Sequence, residues 1–399
     1  MKSAHLNPIP LRVTLRLALV FCFLVGASDA LARRNLVYIN GNITATGQNA
    51  VIALMNDGAG NMIPLPGSPF ATGGTGVAGT GDPLEDAQWD SDVEVVVNPA
   101  QTLLYAVNGH SNDFSAFNLN ADGTLTLIAG SPYSSGGPQP ASIGYLDGAA
   151  GNGLSIMVVA NKDSDPFQTP TAPNYTTFQV DATGVPTMNV GSSLTLPVGS
   201  SPAQILIPRK ARREIIAIQF LGKNVSSYSL TRHGIMTSTS SLEIVGAPVG
   251  GVLHPMLRNL YLTIASKDRL SVLAYDQDFN LSLVNTLHSP GDAPCWATTN
   301  KAGTRLYTGE TLSGSVTVYD ITDATNPVQL QHLVLSGAMP LATHTHLDVT
   351  EKFLYVVDRQ GVLHVLDVAT DGTLSESHEP FNLGLPLDTV PLGLAVVSK

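Results

Sequence analysis

Downstream of residue 33 the chain carries short runs in which apolar positions alternate with polar ones. Ser315-Val316-Thr317-Val318-Tyr319-Asp320 and Leu270-Ser271-Val272-Leu273-Ala274-Tyr275 are two of them. A period of two sends alternate side chains to opposite faces, so these runs predict half-buried strands. No stretch in this region sustains the spacing of a helix. The chemistry between the runs is that of turns. Asp122-Gly123-Thr124-Leu125 and Asp371-Gly372-Thr373-Leu374 are near copies of each other, and Asp-Gly accepts the positive φ of a tight hairpin.

The runs are organised by a repeat. A short apolar strand ending near Tyr occurs at Tyr38, Tyr105, Tyr261, Tyr307 and Tyr355. Weaker copies stand at Met157 and Ile216. The last spacings are 46 residues (261 to 307) and 48 residues (307 to 355), the length of a propeller blade of four strands. An inner strand precedes most copies, opened by Pro140, Pro202 or Pro294, where Pro removes no ladder donor. Tyr38 follows residue 33 too closely to have such a strand. The run from Pro391 to Val397 is one with no copy after it. The pattern predicts an all-β, seven-bladed β-propeller whose C-terminal strand closes the first blade and removes an open edge.

These repeats resemble the lactonase-like β-propeller family, which includes bacterial 6-phosphogluconolactonases. The residues that carry the resemblance are the Asp-Gly-Thr-Leu turns, the segments Gly67-Ser68-Pro69-Phe70 and Gly130-Ser131-Pro132-Tyr133, and Leu104-Tyr105-Ala106-Val107-Asn108. The resemblance implies lactone hydrolysis by an Arg-His pair opening an inner strand, with a Glu after the following Tyr strand. Glu310 falls one residue short of the Glu position, and the Arg-His position reads Cys295-Trp296. Lactone opening needs a base for water and a donor for the oxyanion, so the second role has no residue here.

Composition then narrows the picture. Only 13% of residues are charged and 43% are hydrophobic, which excludes a disordered chain. Lys2, Arg12 and Arg16 precede an apolar run over residues 17–26, followed by Ala30-Leu31-Ala32. This reads as a secretory signal over residues 1–32, and the run is shorter than the ~20 residues a membrane span needs. The expectation is therefore a secreted or periplasmic bacterial protein with one propeller domain over residues 33–399. Past the leader Cys295 stands alone, so it is expected to be reduced and buried. The net charge of −11 argues against nucleic acid as a partner.

Candidate chemistry follows from equivalent positions. Seven residues before the Tyr stand Asn98, His254, Asn300 and Asp348, so His254 is expected to be a turn residue. Eleven residues before it stand Glu94, Gly250, Trp296 and His344, with Ser142, Gln204 and Gly393 in the same place counted from the strand opening. Glu94, Ser142, Gln204 and Trp296 are the expected binding residues, and Glu310 and His344 the candidate catalytic groups, all around one mouth of the channel. His110, Asp163, Asp165, Asp358, Asp90 and Asp92 are expected to converge there too. His344-Thr345-His346 puts two imidazoles on one strand face, as a divalent cation in the channel would require, although no residue is assigned as a metal ligand. Two function classes stay open: a hydrolase of a small lactone or sugar derivative, and a non-enzymatic scaffold that binds a ligand or partner.

Overall fold

The computed structural model describes residues 34–81, 91–387 and 389–399, together with Met1. The leader past Met1, and Asp90, lie outside the described residues. Within them the strands form seven antiparallel sheets, and the only helical turn is Ala265–Lys267. No described helix is long and apolar enough to cross a membrane.

Each sheet is one blade. The inner strands, in blade order, are Leu392–Ser398, Val95–Val97, Pro140–Gly151, Pro202–Leu206, Pro248–Leu253, Pro294–Thr299 and Ala342–Leu347. The first of these packs between the inner strands of blades 7 and 2, which closes the ring. It pairs with Asn35–Asn40 in the register Leu36↔Val397, Tyr38↔Ala395, as the orphan run predicted. Leu394 and Val397 are buried, and each such side chain contributes of order 2 kcal/mol when taken out of water.

The apolar faces are buried between blades. Leu36, Tyr38 and Val51 of blade 1 pack with Leu104, Ala106 and Phe117 of blade 2. Tyr355 and Val357 of blade 7 pack with Val37 and Ile39 of blade 1. Met157 and Ile216, the weak copies of the Tyr position, are fully buried in blades 3 and 4.

One contact accounts for both repeats. The Tyr38 hydroxyl donates to the Gly123 carbonyl of the next blade at 2.7 Å. Tyr105 donates to Gly184 at 2.9 Å and Tyr307 to Gly372 at 3.1 Å. The turn is built to receive it. Asp371 accepts from the Thr373 amide and hydroxyl at 3.0 and 2.7 Å, and Gly372 takes φ +88, a conformation glycine adopts without steric cost.

The Gly-Ser-Pro segments have a separate role. In blades 1 and 2 the outer strand is split into two short pieces that both pair with the third strand. At the break the Ser68 hydroxyl accepts the Ala53 amide at 2.9 Å, and Ser131 accepts the Ala116 amide at 3.0 Å. The serines satisfy donors that the missing ladder would leave unpaired.

Candidate functional site

The inner strands share an irregularity that builds the site. Pairing runs from Pro140↔Asn161 to Ser142↔Ala160, from Pro202↔Gln219 to Gln204↔Ile218, and from Pro248↔Ile264 to Gly250↔Thr263. Blades 6 and 7 carry the same extra residue between Pro294 and Ala297 and between Ala342 and Thr345. A bulge bends the strand and re-aims the side chains that follow. Here it brings Gln204 and His344 to the channel, whose cavity of about 420 Å³ they line with Asp92, His346 and the apolar Val95, Leu206, Val252 and Ala297. That volume suits a small ligand.

At the head of this cavity the equivalent positions form a packed layer. The Gln204 amide donates to Asp92 Oδ2 at 2.9 Å, and its oxygen accepts the Gly251 amide at 2.8 Å. Asp92 Oδ1 lies 3.6 Å from His344 Nδ1. The Trp296 indole stacks on the His344 imidazole, with centroids 5.6 Å apart and planes 12° from parallel. Ligand atoms of Asp92, Glu94 and His344 all lie within 4.8 Å of one another. Glu94, Trp296 and His344 are each only 1% exposed, so they form a buried layer rather than the rim of an open mouth. Trp296's buried indole N–H finds no acceptor among the described residues.

Two glycines make the layer possible. A Cβ on Gly250 would stand 2.0 Å from the Trp296 ring. Gly393, between blades 7 and 2, has φ +69, and a Cβ there would crowd the Glu94 carboxylate at 3.0 Å. Next to the layer Val93 has φ +67, an outlier for a β-branched residue. Such strain concentrates at functional sites.

His346 completes the cavity's polar lining. It is half-buried, and its Nδ1 bonds to the Leu347 carbonyl at 2.7 Å. Burial pushes the imidazole pKa below its ordinary value, against the Leu347 bond and the charges of Asp92 and Asp348. A neutral imidazole that donates through Nδ1 keeps its lone pair on Nε2. The sequence paired His346 with His344 only as a metal-like spacing, since nothing in the alternation marks it as a cavity base.

The remaining expected residues are placed elsewhere. Glu310 is fully buried and is not among the cavity-lining residues. Its carboxylate accepts from Ser289 at 3.1 Å, Thr308 at 3.1 Å and Ser315 at 2.7 Å, and faces His332 of the outer strand at 3.5 Å. It belongs to the interior of blade 6, not to the channel mouth. Ser142 accepts the Ile205 amide at 3.0 Å and ties blade 3 to blade 4. His110 pairs with Asp165 at 2.8 Å, Asp163 accepts the Gly199 amide at 2.6 Å, and Asp358 lies 3.6 Å from His364. None of His110, Asp163, Asp165 and Asp358 is among the residues that line the cavity. His254 is the turn residue expected, its Nδ1 accepting the Met256 and Leu257 amides at 3.1 and 3.0 Å. Cys295 is buried, its sulfur accepting the Thr311 hydroxyl at 2.8 Å.

Comparison with known proteins agrees with this architecture. Residues 219–382 match the family model described as Lactonase, 7-bladed beta-propeller. No curated protein matches the sequence. A putative 6-phosphogluconolactonase from Bacteroides fragilis superposes with TM-score 0.69 at 15% identity, covering 93% of this chain and 99% of its own. The periplasmic gluconolactonase of Pseudomonas aeruginosa gives TM-score 0.71 at 13% identity, covering 92% and 99%. At these identities the likeness to the solved structures is one of fold.

Proposed function

Starting from a lactonase-like seven-bladed β-propeller, we propose that the chain is exported and hydrolyses a small lactone or sugar-derived ester in its central channel. The observation that carries this reading is the cavity itself: a space of about 420 Å³ with His346 on its wall and the Asp92–Gln204–His344 layer at its head. His346 Nε2 takes the proton of a water as that water attacks the lactone carbonyl. The ring oxygen then leaves and recovers a proton, so that ring opening yields a hydroxy acid. Apolar Val95, Leu206 and Val252 exclude bulk water around the ring. The basic-then-apolar pattern of residues 1–32 supports export.

A second reading is favoured by Trp296. It stands where the resemblance calls for the Arg-His pair, and it offers a buried indole donor without an acceptor among the described residues. A non-enzymatic propeller would bind an oxygen-rich ligand there without turnover. Acid release from a panel of sugar γ- and δ-lactones, followed at constant pH, separates the two. Ring opening by the purified protein supports the hydrolase. Saturable binding of a lactone with no acid release supports the scaffold.

A further inference from the structure

We infer that Asp92, Glu94 and His344 form a divalent-cation site at the head of the channel. The three come from separate parts of the ring. Asp92 and Glu94 precede the inner strand of blade 2, and His344 lies on that of blade 7. Between them runs the inner strand of blade 1, and its layer position is Gly393. The missing side chain is what lets groups two blades apart bring their ligand atoms within 4.8 Å.

Beyond proximity, the surroundings orient the ligands. Gln204 holds Asp92 from the far side of the ring at 2.9 Å and is itself fixed by the Gly251 amide at 2.8 Å. Trp296 stacks flat on His344 and sets the plane of its imidazole. Partners of this kind are what fix first-contact ligands in metal sites.

The charge chemistry points the same way. Two carboxylates and an imidazole whose ligand atoms lie this close form a donor set for a divalent cation. Two oxygen ligands and one imidazole suit Mn²⁺ or Zn²⁺ better than Ca²⁺. Three protein ligands leave coordination positions for water or a substrate oxygen. On the hydrolase reading, and resting on it, the cation would supply the electrophile for the lactone carbonyl that the missing Arg leaves unassigned. Cation binding itself does not depend on that reading.

The test is calorimetric titration of the chelator-treated, purified full chain with Mn²⁺ and with Zn²⁺. One saturable site per chain is expected. Glu94→Gln and His344→Gln should each weaken binding at least about 10-fold, the low end for losing even a supporting partner of a metal ligand. Glu310→Gln should leave it unchanged. Because these variants are buried, circular dichroism checks their fold, and a readout on otherwise native protein accompanies them. In a Trp89→Phe background Trp296 is the sole tryptophan, and its stacked fluorescence should change as the cation binds His344. Folded wild-type protein with neither saturable heat nor a Trp296 response overturns the site, as does undiminished binding in both ligand variants. Binding without lactone turnover sinks the hydrolase reading alone. Turnover without binding sinks the cation site alone.

Discussion

Trp296 lies across the position that a side chain on Gly250 would occupy: a Cβ there would stand 2.0 Å from its ring. The two residues hold equivalent places on neighbouring inner strands, so the indole of blade 6 fills the space that blade 5 leaves empty. The first prediction follows. Gly250→Ala should displace Trp296 from His344 and destabilise the protein by about 1–3 kcal/mol, the range for overpacking a filled core. Urea unfolding reads the stability, and tryptophan emission reads the displacement. An unchanged spectrum and midpoint would mean that the indole has another place to go.

The contact between blades makes a second prediction. Tyr307→Phe removes the hydroxyl that satisfies the Gly372 carbonyl. The cost should be about 1 kcal/mol, because a buried acceptor loses its donor while the ring's packing is kept. Denaturant unfolding should show a lower midpoint at an unchanged slope. A stability gain would mean that the Tyr-to-turn contact is not what the repeat preserves.

That contact also explains how much of the fold was legible. Tyr38 and Gly123, or Tyr307 and Gly372, are visible as separate repeats because a ring imposes the same neighbour contact on each blade. The closing strand was legible because Pro391 to Val397 has the pattern of an inner strand and no successor. Glu94, Trp296 and His344 could be counted out from the Tyr positions, and Gln204 from its strand-opening Pro202, for the same reason. Burial of that ring was not legible, since alternation does not reveal that Gly250 and Gly393 leave room for Trp296 and Glu94 to pack inward. Glu310 was misplaced for a related reason. Its distance from Tyr307 sets its height in the blade, but its side chain turns inward to Ser289 and Ser315. His346 was legible as a spacing and not as a base, because its role comes from the Leu347 carbonyl and the cavity wall.

A third prediction concerns pH. His364 is buried in blade 7, with Glu376 at 2.6 Å and Asp358 at 3.6 Å. Burial opposes its charge, but the carboxylates of Asp358 and Glu376 outweigh burial and push its pKa up to about 9. A group with a raised folded pKa contributes stability that is fully present below its unfolded value, near 6.5. That contribution is lost as pH rises through about 9. It should amount to something of order 3 kcal/mol. Urea unfolding at pH 6 and pH 10 should show the loss, and His364→Gln should flatten it. An equal pH dependence in the variant would assign the loss to other groups.

The central claim is that lactone chemistry, if the chain carries it, runs through the cavity wall at His346 and not through the buried carboxylate of Glu310. The most direct measurement compares kcat for ring opening of a sugar lactone, with Mn²⁺ present, in the wild type, His346→Gln and Glu310→Gln. The account predicts turnover by the wild type, a loss of about 10²–10⁴-fold in His346→Gln as for removal of a general base, and near-normal kcat in folded Glu310→Gln. Turnover that survives His346→Gln and disappears in a folded Glu310→Gln protein would contradict it.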